Sequence, residues 1–238
     1  MGRPAAQQTI ADFGEQWTTY RDNGGYYGSV DIFRDMFGAL LSPEDVAGRR
    51  VMEIGSGTGR IVTILLAAGA AEVVAVEPSA AFDVLRENLA AHGDRVRLLR
   101  LTGEAVPPSG DLDYVFSIGV LHHVPEPEPV VRAALRALRP GGRLAVWLYG
   151  REGNRLYLAV LTPLRAVTRR LPHAALAAVV RLIDLPLVAY DGLCRFLPLP
   201  LRSYMRDVVA RLDPSKRRLT VYDQLNPAYA RYYTRDEA

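Results

Sequence analysis

Residues 51–60 read VMEIGSGTGR. A short apolar run carries one carboxylate, Glu53, inside it, and glycines follow at alternate positions, 55, 57 and 59. The run has the composition of a buried strand, and Arg60 opens a helical pattern that lasts to Ala68. A strand that passes straight into a helix through glycines can bring its backbone close to a ligand. No Cβ intervenes, and the first turn of the helix offers unpaired N–H groups. Outward from this stretch the alternation repeats. Val73–Val76, Val96–Leu101, Tyr114–Ile118 and Leu144–Leu148 are short and apolar almost throughout, as strands covered on both faces are. Helical patterns at Ala80–Ala91 and Pro129–Leu138 separate them, the second ended by Pro140-Gly141-Gly142. Such alternation predicts an α/β fold built on a parallel sheet.

In such a sheet ligands bind at the carboxyl ends of the strands, where the winding reverses. Spacing excludes two nucleotide-type ligands. A phosphate-binding P-loop requires a lysine and a hydroxyl after its second glycine, and neither is present; a dinucleotide fingerprint would place glycine at Arg60. What remains is E-x-G-x-G-x-G, with a second acid, Glu77, ending the next strand in VVAVEPS. Glu77 can accept hydrogen bonds from both hydroxyls of a ribose, and Glu53 can draw a cationic amino group toward the turn. A ribose together with an ammonium points to S-adenosylmethionine. An isolated glycine turn is as often a plain turn, so the weight rests on the two acids beside it.

From about residue 45 to 150 the sequence resembles a class I S-adenosylmethionine-dependent methyltransferase of the small-molecule type. VMEIGSGTGR resembles the glycine-rich first motif, VVAVEPS, with Glu77 and Pro78, the ribose-binding acid, and LTGEAVP the adenine-side loop. LDYVFSIGVLHHVPEP and ALRALRPGGRLAVW are similar to the fourth and fifth strands. The resemblance implies a Rossmann-like, doubly wound, mostly parallel sheet. It further implies that Gly55, Ser56, Gly57 and Gly59 line the methionine and ribose, that Thr102, Gly103 and Glu104 approach the adenine, and that Ile118 and Gly119 pass near the sulfonium. Thr102 stands where the family often has aspartate. The aromatic-rich stretch IADFGEQWTTYRDNGGYYGSVDIF, residues 10–33, resembles the lid helix many of these enzymes place over the cofactor. Phe13, Gln16, Trp17 and Tyr20 share one helical face, with Trp17 and Tyr20 expected at the cofactor, and core packing explains the same spacing equally well. Tyr26 and Tyr27, flanked by glycines, suit a mobile flap.

A sulfonium methyl is already activated, so such an enzyme places a nucleophile in line behind it and removes a proton where the acceptor requires that. His122 and His123, in GVLHHVPEP, are the general-base candidates, because they follow the fourth strand at the edge where an acceptor arrives. Capping the next helix is the alternative role. No metal is expected: adjacent histidines diverge, and no carboxylate set accompanies them. Phe116 and Trp147 read as sheet core.

The chain of 238 residues, 49% hydrophobic, suits one large domain with an appended subdomain. The sequence divides into an N-terminal helical lid at 1–45, a cofactor-binding core at 46–150 and a mainly helical substrate cap with a C-terminal segment at 151–238. A single cysteine, Cys194, and an amino terminus without an apolar signal core suggest a cytoplasmic enzyme. Charged residues break every candidate for the roughly 20 apolar residues that span a bilayer. Residues 1–150 carry 14 basic and 18 acidic side chains, a net of −4, whereas 151–238 carry 15 and 8, a net of +7. Between 151 and 206 nine arginines face three acids in an apolar stretch whose prolines, at 163, 172, 186, 198 and 200, predict several short helices.

Three readings of that stretch compete: a cap for a greasy acceptor, peripheral membrane contact through 156–205, and a basic RNA-binding face. Aromatics are too sparse there for a stacking platform, so nucleic acid is not an expected partner. Thr234 to Glu237 has the form of a capping box at the end of the sequence. Five strands are therefore expected, without the family's C-terminal pair, and the edge this exposes would favour association, leaving the oligomeric state open. The function expected is methyl transfer from S-adenosylmethionine to oxygen, nitrogen or carbon of a small apolar molecule. The alternatives are tRNA modification and non-catalytic cofactor binding.

Overall fold

The computed structural model describes residues 5–238; the first four, with the early Arg3, lie outside the described residues. Helices α1 (Ala5–Thr19), α2 (Val30–Phe37) and α3 (Pro43–Val46) precede β1 (Arg50–Ile54). There follow α4 (Arg60–Ala67), β2 (Glu72–Val76), α5 (Phe82–Leu89), β3 (Val96–Leu99), β4 (Leu112–Ile118), α6 (Glu128–Ala137) and β5 (Leu138–Trp147). The remainder is helical: α7 (Arg155–Thr168), α8 (His173–Phe196), α9 (Arg202–Asp207) and α10 (Pro214–Leu225). The described chain divides into two compact units. One takes the residues through Gly24 together with Gly28–Gly153 and Ala228–Ala238; the other takes Gly25–Tyr27 and Asn154–Pro227.

The five strands form one parallel sheet in the order β3-β2-β1-β4-β5. The winding reverses between β1 and β4, which opens the binding crevice at the carboxyl ends of those strands. This is the Rossmann-like, doubly wound fold. On one face Val130, Ala133, Ala134 and Ala137 of α6 pack against Met52, Ile54, Val74, Val76 and Val115. On the other, Phe116 meets Phe33 and Phe37 of α2 at ring separations of 6.2 and 6.1 Å. Residues 115 and 116 thus serve opposite faces, as alternation along a strand requires.

Burial departs from the sequence expectation at the two ends of the sheet. β1 and β2 are almost wholly buried, whereas β3 and β5, each with one neighbour, are half-exposed along much of their length. β5 also begins earlier than its apolar run suggests, because Leu138 pairs with Leu112 across an irregularity that absorbs the Pro-Gly-Gly segment. A Cβ on Gly142 would lie 2.8 Å from the Leu112 carbonyl oxygen, so only glycine fits there.

The second unit corrects the expectation of short helices. Pro163 lies inside α7 and Pro186 inside α8, which runs unbroken for 24 residues. Each proline removes one backbone hydrogen bond, and both sit on exposed helix faces, where the freed carbonyl remains solvated. The opposite face of α8 anchors the helix on either side of Pro186. Leu176 and Val180 are buried, and Asp184 forms a fork with Arg217 of α10 at 2.6 and 3.2 Å. Tyr26 and Tyr27 belong to this unit as well. The Arg211 guanidinium lies 3.8 Å from the Tyr26 ring centre and the Lys216 ammonium 5.4 Å from that of Tyr27, which ties both rings down. α8 is also the one helix among the described residues long and apolar enough, by length and composition, to cross a membrane.

The C-terminal segment, residues 228–238, returns to the first unit. Tyr233 forms a parallel bridge with Gly150, donating its N–H to the Tyr149 carbonyl at 2.8 Å. The Thr234 capping box closes only as a turn, with the Thr234 N–H donating to the Glu237 carboxylate at 2.9 Å.

Candidate functional site

The turn after β1 is built from three left-handed glycines, Gly55, Gly57 and Gly59, with φ of +80°, +52° and +89°. A Cβ on Gly55 would come within 2.5 Å of the Val120 side chain. Gly55→Ala should therefore destabilise the fold by at least about 1–2 kcal/mol, the cost of a side chain in left-handed backbone, before any clash is counted. A lowered urea midpoint at unchanged slope is the expected reading; an unchanged midpoint would contradict this geometry.

Glu77 holds the turn from the end of β2. Its carboxylate accepts from the Gly57 N–H and from the Ser79 N–H, each at 2.8 Å, while the N–H groups of Gly55 and Ser56 donate to the Val76 carbonyl. Pro78, half-buried, separates those two anchors. Glu53 lies on β1 beneath the turn and is 2% exposed. One carboxylate oxygen, Oε2, has no hydrogen-bond partner. Burial pushes its pKa up to about 8; Arg60 and the Ser56 hydroxyl pull it back, and the charge of Glu77 adds to the rise. A buried carboxyl with an orphaned oxygen, beside backbone that admits no side chain, fits a cationic ligand group.

The adenine-side residues separate by role. A Cβ on Gly103 would sit 2.6 Å from Val130 and 2.9 Å from Ile54, so this glycine lets the loop pack on α6. Thr102 is half-buried and Glu104 exposed. At the end of β4, Ile118 is buried, and Gly119, with φ of +78°, donates its N–H to the Trp147 carbonyl at 3.2 Å.

Helix α1 crosses this edge of the sheet. Gln16 is fully buried, the Trp17 indole lies 3.3 Å from where a Gly57 Cβ would stand, and Gly14 packs on Ser79 and Ala80. Tyr20 is half-buried, its N–H donating to the Gln16 carbonyl at the end of the helix. The chain beyond α1 is tethered to the same turn. Asn23 exchanges hydrogen bonds with Thr58, which Asn88 of α5 also reaches.

Both histidines are buried, His122 at 0% and His123 at 4% exposure, and they differ in their partners. His122 is fully buried, stacked on Tyr149 at 3.7 Å and edge-on to Trp147 at 6.0 Å. His123 lies 4.8 Å from the Phe13 ring, and its Nδ1 is 2.8 Å from the Tyr229 carbonyl. A carbonyl can only accept, so that contact puts the proton on Nδ1 and makes Nε2 the basic nitrogen. Tyr232 stacks on the far side of Tyr149 at 5.2 Å.

Sequence reasoning passed over Tyr149, Trp147 and the C-terminal segment; Trp147, read as core, is 38% exposed and belongs to this ring cluster. The signal was present in PAYARYY, residues 227–233, a run too aromatic for a free tail. Among the described residues, no group of three or more His, Cys, Asp or Glu side chains is placed to hold a metal ion.

Residues 52–144 match the family model described as a methyltransferase domain. A tRNA U34 carboxymethyltransferase of Chromohalobacter salexigens is 38% identical over 120 residues, covering 48% of this chain and 35% of that protein. A ubiquinone biosynthesis O-methyltransferase of Aromatoleum aromaticum is 34% identical over 119 residues, covering 49% and 50%. The chain thus spans between a third and a half of these curated relatives. Among solved structures, the DhpI-SAM-HEP complex shares the fold, with a TM-score of 0.51 and 22% identity over 67% of this chain and 73% of that one. Several relatives bear the tRNA-modifying name, which overturns the expectation that nucleic acid is not a partner. That expectation rested on sparse aromatics in 157–204, a test for single-strand stacking that says nothing of other modes of RNA contact.

Proposed function

We propose that the class I S-adenosylmethionine-dependent methyltransferase domain carried by residues 52–144 moves the cofactor's methyl group to a small, largely apolar acceptor. The observation that carries this reading is the ring cluster around His123 at the carboxyl ends of β4 and β5, an apolar wall holding one oriented basic nitrogen. Flat apolar molecules suit such a wall. When bound, the cofactor supplies a methyl group on a positively charged sulfur. Glu53 would face its ammonium, Glu77 its ribose hydroxyls, and Trp17 would close over the glycine turn. His123 would take the acceptor's proton through Nε2. The single cysteine suits a reducing, cytoplasmic setting.

Calorimetry tests the cofactor half directly: S-adenosylmethionine and its demethylated product should bind and NAD should not. Glu77→Ala removes two charge-assisted hydrogen bonds, each worth roughly 1.5–3 kcal/mol, so affinity should fall at least about tenfold. Because Glu77 also anchors the Gly57 N–H, the melting temperature is recorded alongside. An unchanged dissociation constant removes Glu77 from the ribose site.

A tRNA acceptor is the second reading, favoured by the tRNA-modifying relatives and by the net charge of +7 over residues 151–238. It requires RNA affinity that falls steeply with salt and turnover on RNA but not on small aromatic acceptors. Cofactor binding without turnover on either class would leave a non-catalytic binding protein.

A further inference from the structure

Helix α8 leaves an unusual face uncovered. Ala178, Leu182, Leu185, Ala189, Leu193 and Phe196 recur at intervals of three and four and form one continuous stripe. Leu182, Leu185 and Phe196 are 70%, 72% and 85% exposed. Only 17% of the helix's most apolar window is buried. Exposed leucines are ordinary singly, but a contiguous stripe of this length on a helix of about 36 Å is not. Helix α7 carries a second one, with Leu156, Val160 and Val167 all more than 60% exposed.

Charge narrows the occupant. Arg181 and Arg195 lie along one border of the α8 stripe, seven residues to either side of Val188, and both are exposed. Arg155, Arg169, Arg170 and Arg206 are exposed on the same unit. The only acids between 155 and 206, Asp184 and Asp191, are half-buried and turned to Arg217 and Arg195. The surface is thus apolar at its centre and cationic at its margin, and α7 and α8 carry no exposed acid; the exposed acids of this unit, Asp207 and Asp213, lie at the end of α9 and before α10.

We propose that α8 lies in the surface of an anionic lipid bilayer, its Leu182–Phe196 stripe among the acyl chains and its arginines at the headgroups. The geometry is that of an interfacial helix. Spanning is excluded by the other face, where Leu176, Val180, Cys194 and the Asp184–Arg217 fork hold α8 against α9 and α10. Docking is independent of methyl transfer and is read without turnover.

The whole chain is floated with vesicles of phosphatidylcholine alone, or mixed with phosphatidylglycerol. Strong binding to the mixed vesicles, at least tenfold weaker binding to phosphatidylcholine alone, and loss at high salt are expected. Leu182→Asp with Leu185→Asp should weaken binding at least tenfold, and Arg181→Gln with Arg195→Gln should remove the preference for the anionic lipid. All four side chains are exposed, and circular dichroism checks the folding of each variant. A milder variant, Leu185→Trp, should gain blue-shifted emission on adding anionic vesicles. No vesicle binding by the wild type overturns the proposal. So does a self-associated species dissolved by the leucine variants, which assigns the face to a second copy of the chain. Arginine variants that lose tRNA binding while leaving vesicle binding intact overturn the role given to the arginines.

Discussion

Turnover by His123→Ala is expected to fall by about 100-fold or more, with S-adenosylmethionine affinity staying near wild type. The proposed role as base needs a basic Nε2, and the Tyr229 carbonyl supplies it by fixing the proton on Nδ1 while Phe13 packs against the ring. Neither contact involves the glycine turn, so the cofactor should still bind. His122→Ala is expected to behave differently. Its ring is fully buried between Tyr149 and Trp147, and removing it leaves a cavity in a packed ring cluster, at a cost on the order of 2–4 kcal/mol in stability. The informative comparison is steady-state kinetics beside urea unfolding for both variants. His123 is buried as well, so His123→Ala also costs stability; it should in addition lose kcat in the fraction that stays folded, with partial recovery on adding imidazole. If both variants retain wild-type kcat, the pair is structural and the acceptor needs no base from this protein.

The central fold was legible because its signals are local. A strand that is apolar on both faces reads as such from four or five residues, and the left-handed glycines announce a turn that no other residue makes cheaply. The sequence of VMEIGSGTGR and the position of Glu77 therefore located the crevice. Three things were not local. Edge position decides that β3 and β5 are half-exposed, and no residue within them encodes which strand lies outside. Pro186 was expected to end a helix. It does not, since the Asp184–Arg217 fork and the buried face hold α8 together on either side of it. The return of residues 228–238 to β5 brings Tyr229 to His123, over one hundred positions earlier, and Tyr232 to Tyr149, pairings that spacing does not contain.

The buried carboxyl of Glu53 should make cofactor binding depend on pH. Burial pushes its pKa up to about 8, against an ordinary glutamate value near 4.5, so below about pH 8 the folded protein without ligand holds the proton. The sign follows from linkage. Between about pH 4.5 and 8 the unfolded chain ionises this group while the folded chain does not, so its contribution to stability declines across that window and levels off above it. A cationic ammonium arriving beside Glu53 favours the ionised form and must displace that proton. Affinity for S-adenosylmethionine should therefore tighten with rising pH, by up to about tenfold per unit between roughly pH 6 and 8, and flatten above. Calorimetry at pH 6.5 in buffers of different ionisation heat should register up to about one proton released per ligand bound. Glu53→Gln keeps the size of the side chain and abolishes the titration; it should bind more weakly at pH 8 and show no slope below it. A Glu53→Gln protein that keeps the wild-type slope would place the titrating group elsewhere and leave the orphaned Glu53 oxygen without a cationic partner.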